Sequence, residues 1–253
     1  MPLTHPASGK TENASPKKKP LPKELRDLVN DRDRDYLDSQ ADDKQEKTRV
    51  EKIIEYEQKF NLTSYQYPFN IFSEITRSLA ERIKTHIDKA IVDKLKVELF
   101  QKENPKDEFL QALKFPNLRF VLSTYGGSVF DSFTICNAFE YAKKQGFTVE
   151  ILATGTIMSA GIPIFSSGSK GFRKVEPGTF FLIHNISSGT IGTIPEIRNQ
   201  VKFLEELDKV YSNIIIRNTK ISKKDLKDIL SSNIDYYYTS EEALEQGLAD
   251  EII

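Results

Sequence analysis

Residues 118–146 read LRFVLSTYGGSVFDSFTICNAFEYAKKQG. The run Leu118–Ser123 is short, apolar and rich in β-branched and aromatic residues, as a strand buried on both faces of a parallel sheet would be. A glycine pair, Gly126 and Gly127, turns the chain. Val129, Phe133, Cys136, Phe139 and Ala142 then fall on one face of a helix that Gly146 closes. Strand, glycine turn and helix form one unit, and the same grammar continues downstream. Residues 147–154 predict the next strand and 159–165 a short helix. Residues 172–175 and 179–183 predict two more strands around the turn Glu176-Pro177-Gly178. Alternating strands and helices imply an α/β fold with right-handed crossovers.

Upstream, Ile71, Ile75, Leu79, Ile83, Ile87, Ile91, Leu95 and Leu99 recur every four positions, which predicts one long helix or two divided by a cap at Asp88. Downstream, Thr193-Ile-Pro-Glu196 is a capping box opening a helix over 194–217, with an apolar stripe of Ile197, Val201, Leu204, Leu207, Val210 and Ile214. Ser222 opens a shorter helix. Thr239 to Glu242 caps another that stops at Gly247, before a terminal strand in LADEII. No internal repeat is present.

The composition shifts near residue 60. The first 60 residues hold 13 Lys+Arg and 13 Asp+Glu, against 47 charged residues in the remaining 193. Residues 1–60 therefore read as a charged, largely disordered extension and 61–253 as the main folded domain. The first twenty residues carry too little apolar surface to offset ordering entropy, and the DRDRD run at 31–35 reads as solvated. Val50, Ile53, Ile54 and Phe60 mark a helical stripe able to dock on the domain or a partner. A net charge of −1 gives no basic field for nucleic acid or an anionic membrane. The single cysteine, Cys136, excludes an intramolecular disulfide and fits a reducing compartment. With no secretory leader pattern and no 18-residue apolar run, the expected location is the cytoplasm.

Chemistry is sought among the scarce side chains. Of three histidines, only His184 follows a predicted core strand. His5 lies in the charged extension and His86 in a helix or strand with lysine and aspartate neighbours. One cysteine and scattered carboxylates supply no metal-ligand spacing, and no cofactor is implied. Ser159, in GTIMSAG at 155–161, follows a strand and opens a helix, so its hydroxyl would stand at a strand's C-terminal end, where α/β sheets place their sites. It could equally be a helix cap. YGGS at 125–128 could bring backbone N–H groups close to a ligand, or be an ordinary tight turn. A serine nucleophile needs a base, an orienting carboxylate and N–H donors for the developing oxyanion, which is the set these pieces could supply.

In order along the chain, LSTYGGSVFDSFTICNA, ATGTIMSAGIPIFSSGSKGFRKVEPGTFFLIHN and DYYYTSEEALEQGLADEI resemble the proteolytic subunit of the Clp protease. The resemblance covers about residues 115–253. It implies a crotonase-like spiral of repeated ββα units with a long handle helix, here the one from 194. It implies a serine endopeptidase acting on unfolded polypeptide inside an oligomeric chamber, fed by an ATP-dependent AAA+ unfoldase. Carried over by position, the nucleophile is Ser159, the base His184 and the orienting acid Asp235. The oxyanion donors are the N–H groups of Gly127 and Ala160, with Gly126 completing the glycine pair. The resemblance further implies homo-oligomeric heptameric rings, two of which make a tetradecamer, and a strand-like lead-in at 187–192 beside bound peptide.

Departures from the family pattern are specific. Tyr125 stands where proline usually precedes the glycine pair, Ala160 where methionine follows the serine, and Met158 where alanine precedes it. Asn233 occupies the position of a carboxylate often used between rings, and the segment SLAERIKTHIDK reads partly helical where the family's first strand belongs. A non-catalytic assembly subunit of the same fold is the second reading. A crotonase-type acyl-CoA enzyme, which shares the spiral and a backbone oxyanion hole, is the third.

Overall fold

A computed structural model describes residues 44–232 and 234–253; the expectations for residues 1–43, including His5, and for Asn233 fall outside them. The chain divides into two compact units, Met1–Glu51 and Lys52–Ile253. Of the first, the described part is the opening of helix α1 (Lys44–Lys59). The second holds everything else and begins upstream of the composition shift at residue 60. There Phe60 and Leu62 are buried with Val97, Leu110 and Leu113, and Tyr56 and Phe100 pack against them.

After α1 the order is β1 (Phe69–Ile71), α2 (Arg77–Glu103), α3 (Glu108–Ala112), β2 (Leu118–Thr124), α4 (Val129–Lys144), β3 (Val149–Met158) and α5 (Gly161–Ser166). Then follow β4 (Arg173–Val175), β5 (Phe180–Ile183), α6 (Ile194–Asn218), α7 (Lys223–Ser231), β6 (Tyr236–Tyr238), α8 (Ser240–Glu245) and β7 (Glu251–Ile252). The four-residue apolar spacing overstates α2 at its start. Thr76 is extended and its side chain caps the Leu79 N–H, so Ile75 lies outside the helix. Ile71 lies in β1, paired with Leu122 of β2, so a strand precedes the helix and SLAERIKTHIDK lies within α2. Three residues, of which only Ile71 is buried, are too short to show an alternating pattern. Past its cap α2 is unbroken, and Asp88 is an i,i+4 partner of Lys84 rather than a second cap.

Strands run β1-β2-β3-β4-β7, all parallel, and β3 also pairs with β5, which carries antiparallel β6 on its far side. The ten-residue β3 therefore serves two neighbours in succession. Ile151–Ala153 pair with β4, and Thr156–Met158 pair with β5. Between them the register to β2 jumps from Leu122↔Ala153 to Thr124↔Ile157. Gly155 absorbs the jump at φ 68, a left-handed value that glycine takes without Cβ strain. The Glu176 N–H holds the Ala153 carbonyl at 3.0 Å, tying the β4–β5 turn to the fork. The core lies between this sheet and α2, α4 and α5, with Phe120, Phe139, Phe165 and Phe181 fully buried.

One ion pair secures the C-terminus to this frame. Arg173, 2% exposed, donates through Nε to Asp250 at 2.8 Å, through a second nitrogen to the other carboxylate oxygen, and through its third to the Asn218 carbonyl at 2.6 Å. Asp250 also accepts the Gly171 and Arg173 backbone N–H groups. Burial alone would raise the Asp250 pKa, but the Arg173 hydrogen bonds and charge and those N–H groups outweigh it and hold it below the usual value. A depressed folded pKa means that this stability is fully present above about pH 3.9 and is lost as pH falls through the folded value. Arg173→Ala is expected to cost about 2–3 kcal/mol in urea unfolding, toward the low end for a broken buried pair, because it strands the half-buried Asp250 carboxylate. Asp250→Asn should lower stability at neutral pH and flatten the acid limb of a stability–pH curve. An unchanged acid limb would show that another carboxylate dominates it.

Candidate active site

The site is built where β3 stops. Ser159 takes φ 53, one of two non-glycine residues with positive φ among the described residues. Such a conformation costs on the order of 1–3 kcal/mol and persists only where the surroundings impose it. Here they do. The Ser159 N–H donates to the Leu182 carbonyl at 3.0 Å, extending the β3–β5 ladder, while its carbonyl accepts from the Ile162 N–H at 3.0 Å and the Tyr211 hydroxyl at 3.3 Å. Ala160 turns into the helical region at φ −59 and α5 begins at Gly161. The half-buried serine thus stands on a sharp strand-to-helix turn, a geometry that projects a hydroxyl away from the backbone.

The glycine pair lies directly against it. A Cβ added to Gly126 would fall 2.7 Å from the Ser159 Cβ and 3.2 Å from its Oγ, so only glycine fits. The segment is stitched to residues before α2. The Ile75 N–H donates to the Gly126 carbonyl and the Ser128 N–H to the Ile75 carbonyl, both at 2.8 Å. In a parallel bridge of this kind the middle residue, Gly127, turns its own N–H and C=O away from Ile75. The Gly126 N–H is taken by Thr124 Oγ1 at 3.1 Å. Among the described residues, the N–H groups of Gly127 and Ala160 have no acceptor. Periodicity places Ile75 on a helix face. Its backbone role had no signal in the sequence.

Register brings in the other two candidates. Met158 pairs with Leu182, so Ser159 and His184 follow directly from the ends of adjacent strands β3 and β5. On the far side, Phe181 pairs with Tyr238, Leu182 with Tyr237 and Ile183 with Tyr236. Asp235 immediately precedes β6, at the end of the ladder from which His184 leaves β5. Ser159, His184 and Asp235 thus lie immediately beyond the paired ends of β3, β5 and β6, strands of a kind spaced about 4.8 Å apart. Ser159 and His184 are half-buried and Asp235 is exposed. Among the described residues no hydrogen bond joins the three side chains. The strand β6 was not expected from sequence, because Tyr236 and Tyr237 are exposed and the run has no alternation.

The remaining candidates fall elsewhere. His86 sits in an aromatic cage of Tyr65, Phe69 and Phe120, where burial and, behind it, Lys89 lower its pKa. Among the described residues, the lead-in at 187–192 pairs with no strand. Of the departures, Tyr125 points outward at 80% exposure, and Met158 is half-buried. A cavity of about 460 Å3 opens between Phe72, Glu74, Tyr125 and the glycine pair, but Ser159, His184 and Asp235 are not in its walls. Among the described residues, no three His, Cys, Asp or Glu side chains cluster as metal ligands, and no helix is long and apolar enough to cross a membrane.

Comparison with known proteins agrees with this architecture. An ATP-dependent Clp protease proteolytic subunit of Deinococcus radiodurans is 25% identical over 187 residues, covering 73% of this chain and 85% of the relative. The ATP-dependent Clp protease proteolytic subunit 2 of Tropheryma whipplei is 28% identical over 182 residues, covering 70% and 93%. The solved structure of a ClpP1 mutant from Listeria monocytogenes superposes with a TM-score of 0.58 at 22% identity, covering 78% of this chain and 95% of its own. The fold is accordingly the crotonase-like fold of that protein. The sequence model of the family described as Clp protease matches residues 65–253, from the turn before β1 to the C-terminus, and the chain belongs to that family of serine peptidases.

Proposed function

We propose that this chain is a serine endopeptidase whose Ser159, His184 and Asp235 act as nucleophile, base and orienting acid. The observation that supports the reading is the strained Ser159 turn at the end of β3, with His184 next after paired β5 and Asp235 just before β6, which pairs with β5. His184 takes the Ser159 proton as Oγ attacks the scissile carbonyl, and Asp235 holds the imidazole and steadies its positive charge. The oxyanion is received by the N–H groups of Gly127 and Ala160, which lack acceptors among the described residues. His184 then passes its proton to the leaving amine, and water releases the acyl group from Ser159. Catalytic hydrogen bonds are often long before substrate binds and tighten in the complex, so the unclosed relay is compatible with this assignment.

Assembly belongs to the same proposal. On α6, Leu207, Tyr211 and Ile215 are buried, whereas Ile194, Ile197, Val201, Phe203 and Val210 are exposed. An amphipathic helix whose apolar residues outrun its own core suits burial by other copies, here rings enclosing a chamber for unfolded polypeptide. The relatives' description as ATP-dependent proteolytic subunits supports an ATP-driven unfoldase as the feeding partner.

Fluorophosphonate treatment of the purified protein should label Ser159, and Ser159→Ala should lose both the label and peptide cleavage by at least about a thousandfold. An assembled wild type that takes no label would leave a non-catalytic assembly subunit instead. Ile197→Glu with Val201→Glu should lower the mass in native mass spectrometry and reduce cleavage with it. Retained mass would remove the α6 face from the interface.

A further inference from the structure

Two peptide units follow the Ser159 side chain, and each is held by a buried hydroxyl from a different helix. The Tyr211 hydroxyl of α6 donates to the Ser159 carbonyl at 3.3 Å, and the Ser132 hydroxyl of α4 donates to the Ala160 carbonyl at 2.7 Å. Both residues are almost completely buried, Tyr211 at 2% and Ser132 at 0% exposure. Burial, with the Asp208 charge behind it, pushes the Tyr211 phenol up, so the group stays protonated and remains a donor.

The consequence follows from peptide planarity. The Ser159 carbonyl and the Ala160 N–H belong to one trans unit and point in opposite directions, so holding the carbonyl aims the N–H. Holding the next carbonyl from Ser132 removes the remaining freedom about the Ala160 Cα. Ser132 also sits one helical turn after Ser128, whose carbonyl accepts the Ser132 N–H at 3.0 Å, and Ser128 directly follows Gly127. The other N–H donor is therefore fixed to the same helical turn. We propose that Ser132 and Tyr211 are positioning residues that set the direction of the Ala160 N–H and its spacing from the Gly127 N–H, presetting the oxyanion pocket before substrate arrives. The inference rests on the peptidase reading and deepens it. Donors held in advance need no reorganisation when charge develops, which is where such sites gain most.

The test compares Ser132→Ala and Tyr211→Phe, each removing one hydroxyl, with Ser166→Ala. Ser166 is an equally buried hydroxyl that bonds the Pro163 carbonyl inside α5 and does not reach the turn. Full-length proteins are assayed for kcat and KM on an unstructured fluorogenic peptide and for affinity toward a peptide boronate, whose tetrahedral adduct mimics the oxyanion. Affinity for a product peptide and melting temperature are measured alongside. Both test variants should lose roughly 10- to 100-fold in kcat with KM within about twofold, and lose boronate affinity in parallel while product-peptide affinity holds. Ser166→Ala should follow wild type. If Ser132→Ala fails to fold, Tyr211→Phe carries the same comparison. Folded variants with wild-type kcat and boronate affinity overturn the positioning role alone, as does loss of product-peptide affinity in equal measure. A wild type that neither cleaves peptide nor labels at Ser159 overturns the peptidase reading and this inference with it.

Discussion

Strand β3 must satisfy two partners that cannot lie in one continuous row. Its first half completes the parallel ladder to β4, and its second half leaves that ladder to pair with β5. The bulge at Gly155 permits the departure, and the Glu176 N–H closes the gap it opens. Everything at the candidate site follows from the second half. Its last residue before the turn, Met158, is registered against Leu182, which sets Ser159 beside the end of β5 and, through β6, within two strands of Asp235. A straight β3 would leave the serine and the histidine on the ends of strands with no common neighbour.

Backbone groups do as much at this site as side chains. Gly126 and Gly127 are held by Ile75, a residue whose side chain is fully buried core and whose peptide groups stitch the turn. That division of labour explains why Tyr125 and Ala160 can replace the family's usual residues. The N–H directions depend on φ, ψ and carbonyl partners, not on the side chains at those positions. Position 126 is different, because any side chain there would meet Ser159.

Helix α6 joins two requirements. Its C-terminal half is core, with Tyr211 reaching the Ser159 carbonyl and Asn218 receiving Arg173. Its N-terminal half presents apolar residues to solvent in the single chain. The stripe on one helix thus has two kinds of neighbour. Periodicity records that a face is apolar and is silent on whether the same chain or another covers it.

The resemblance singles out Ser159, His184 and Asp235 as candidates; the sequence alone determined the α/β class, the strand–turn–helix unit at 118–146 and the capped helix at 194. These are local: apolar period, caps and glycine turns act within a few residues. It missed β1 and β6 because short strands with exposed residues carry no period, and it extended α2 backward because a four-residue spacing continues into a strand by coincidence. Only the tertiary structure decided the fork of β3, the placement of Ile75 against the glycine pair, and the hydroxyls of Ser132 and Tyr211 on the Ser159 turn. Those depend on pairing register and on hydrogen bonds between residues 23 to 53 positions apart, which chain sequence does not express until the sheet has formed.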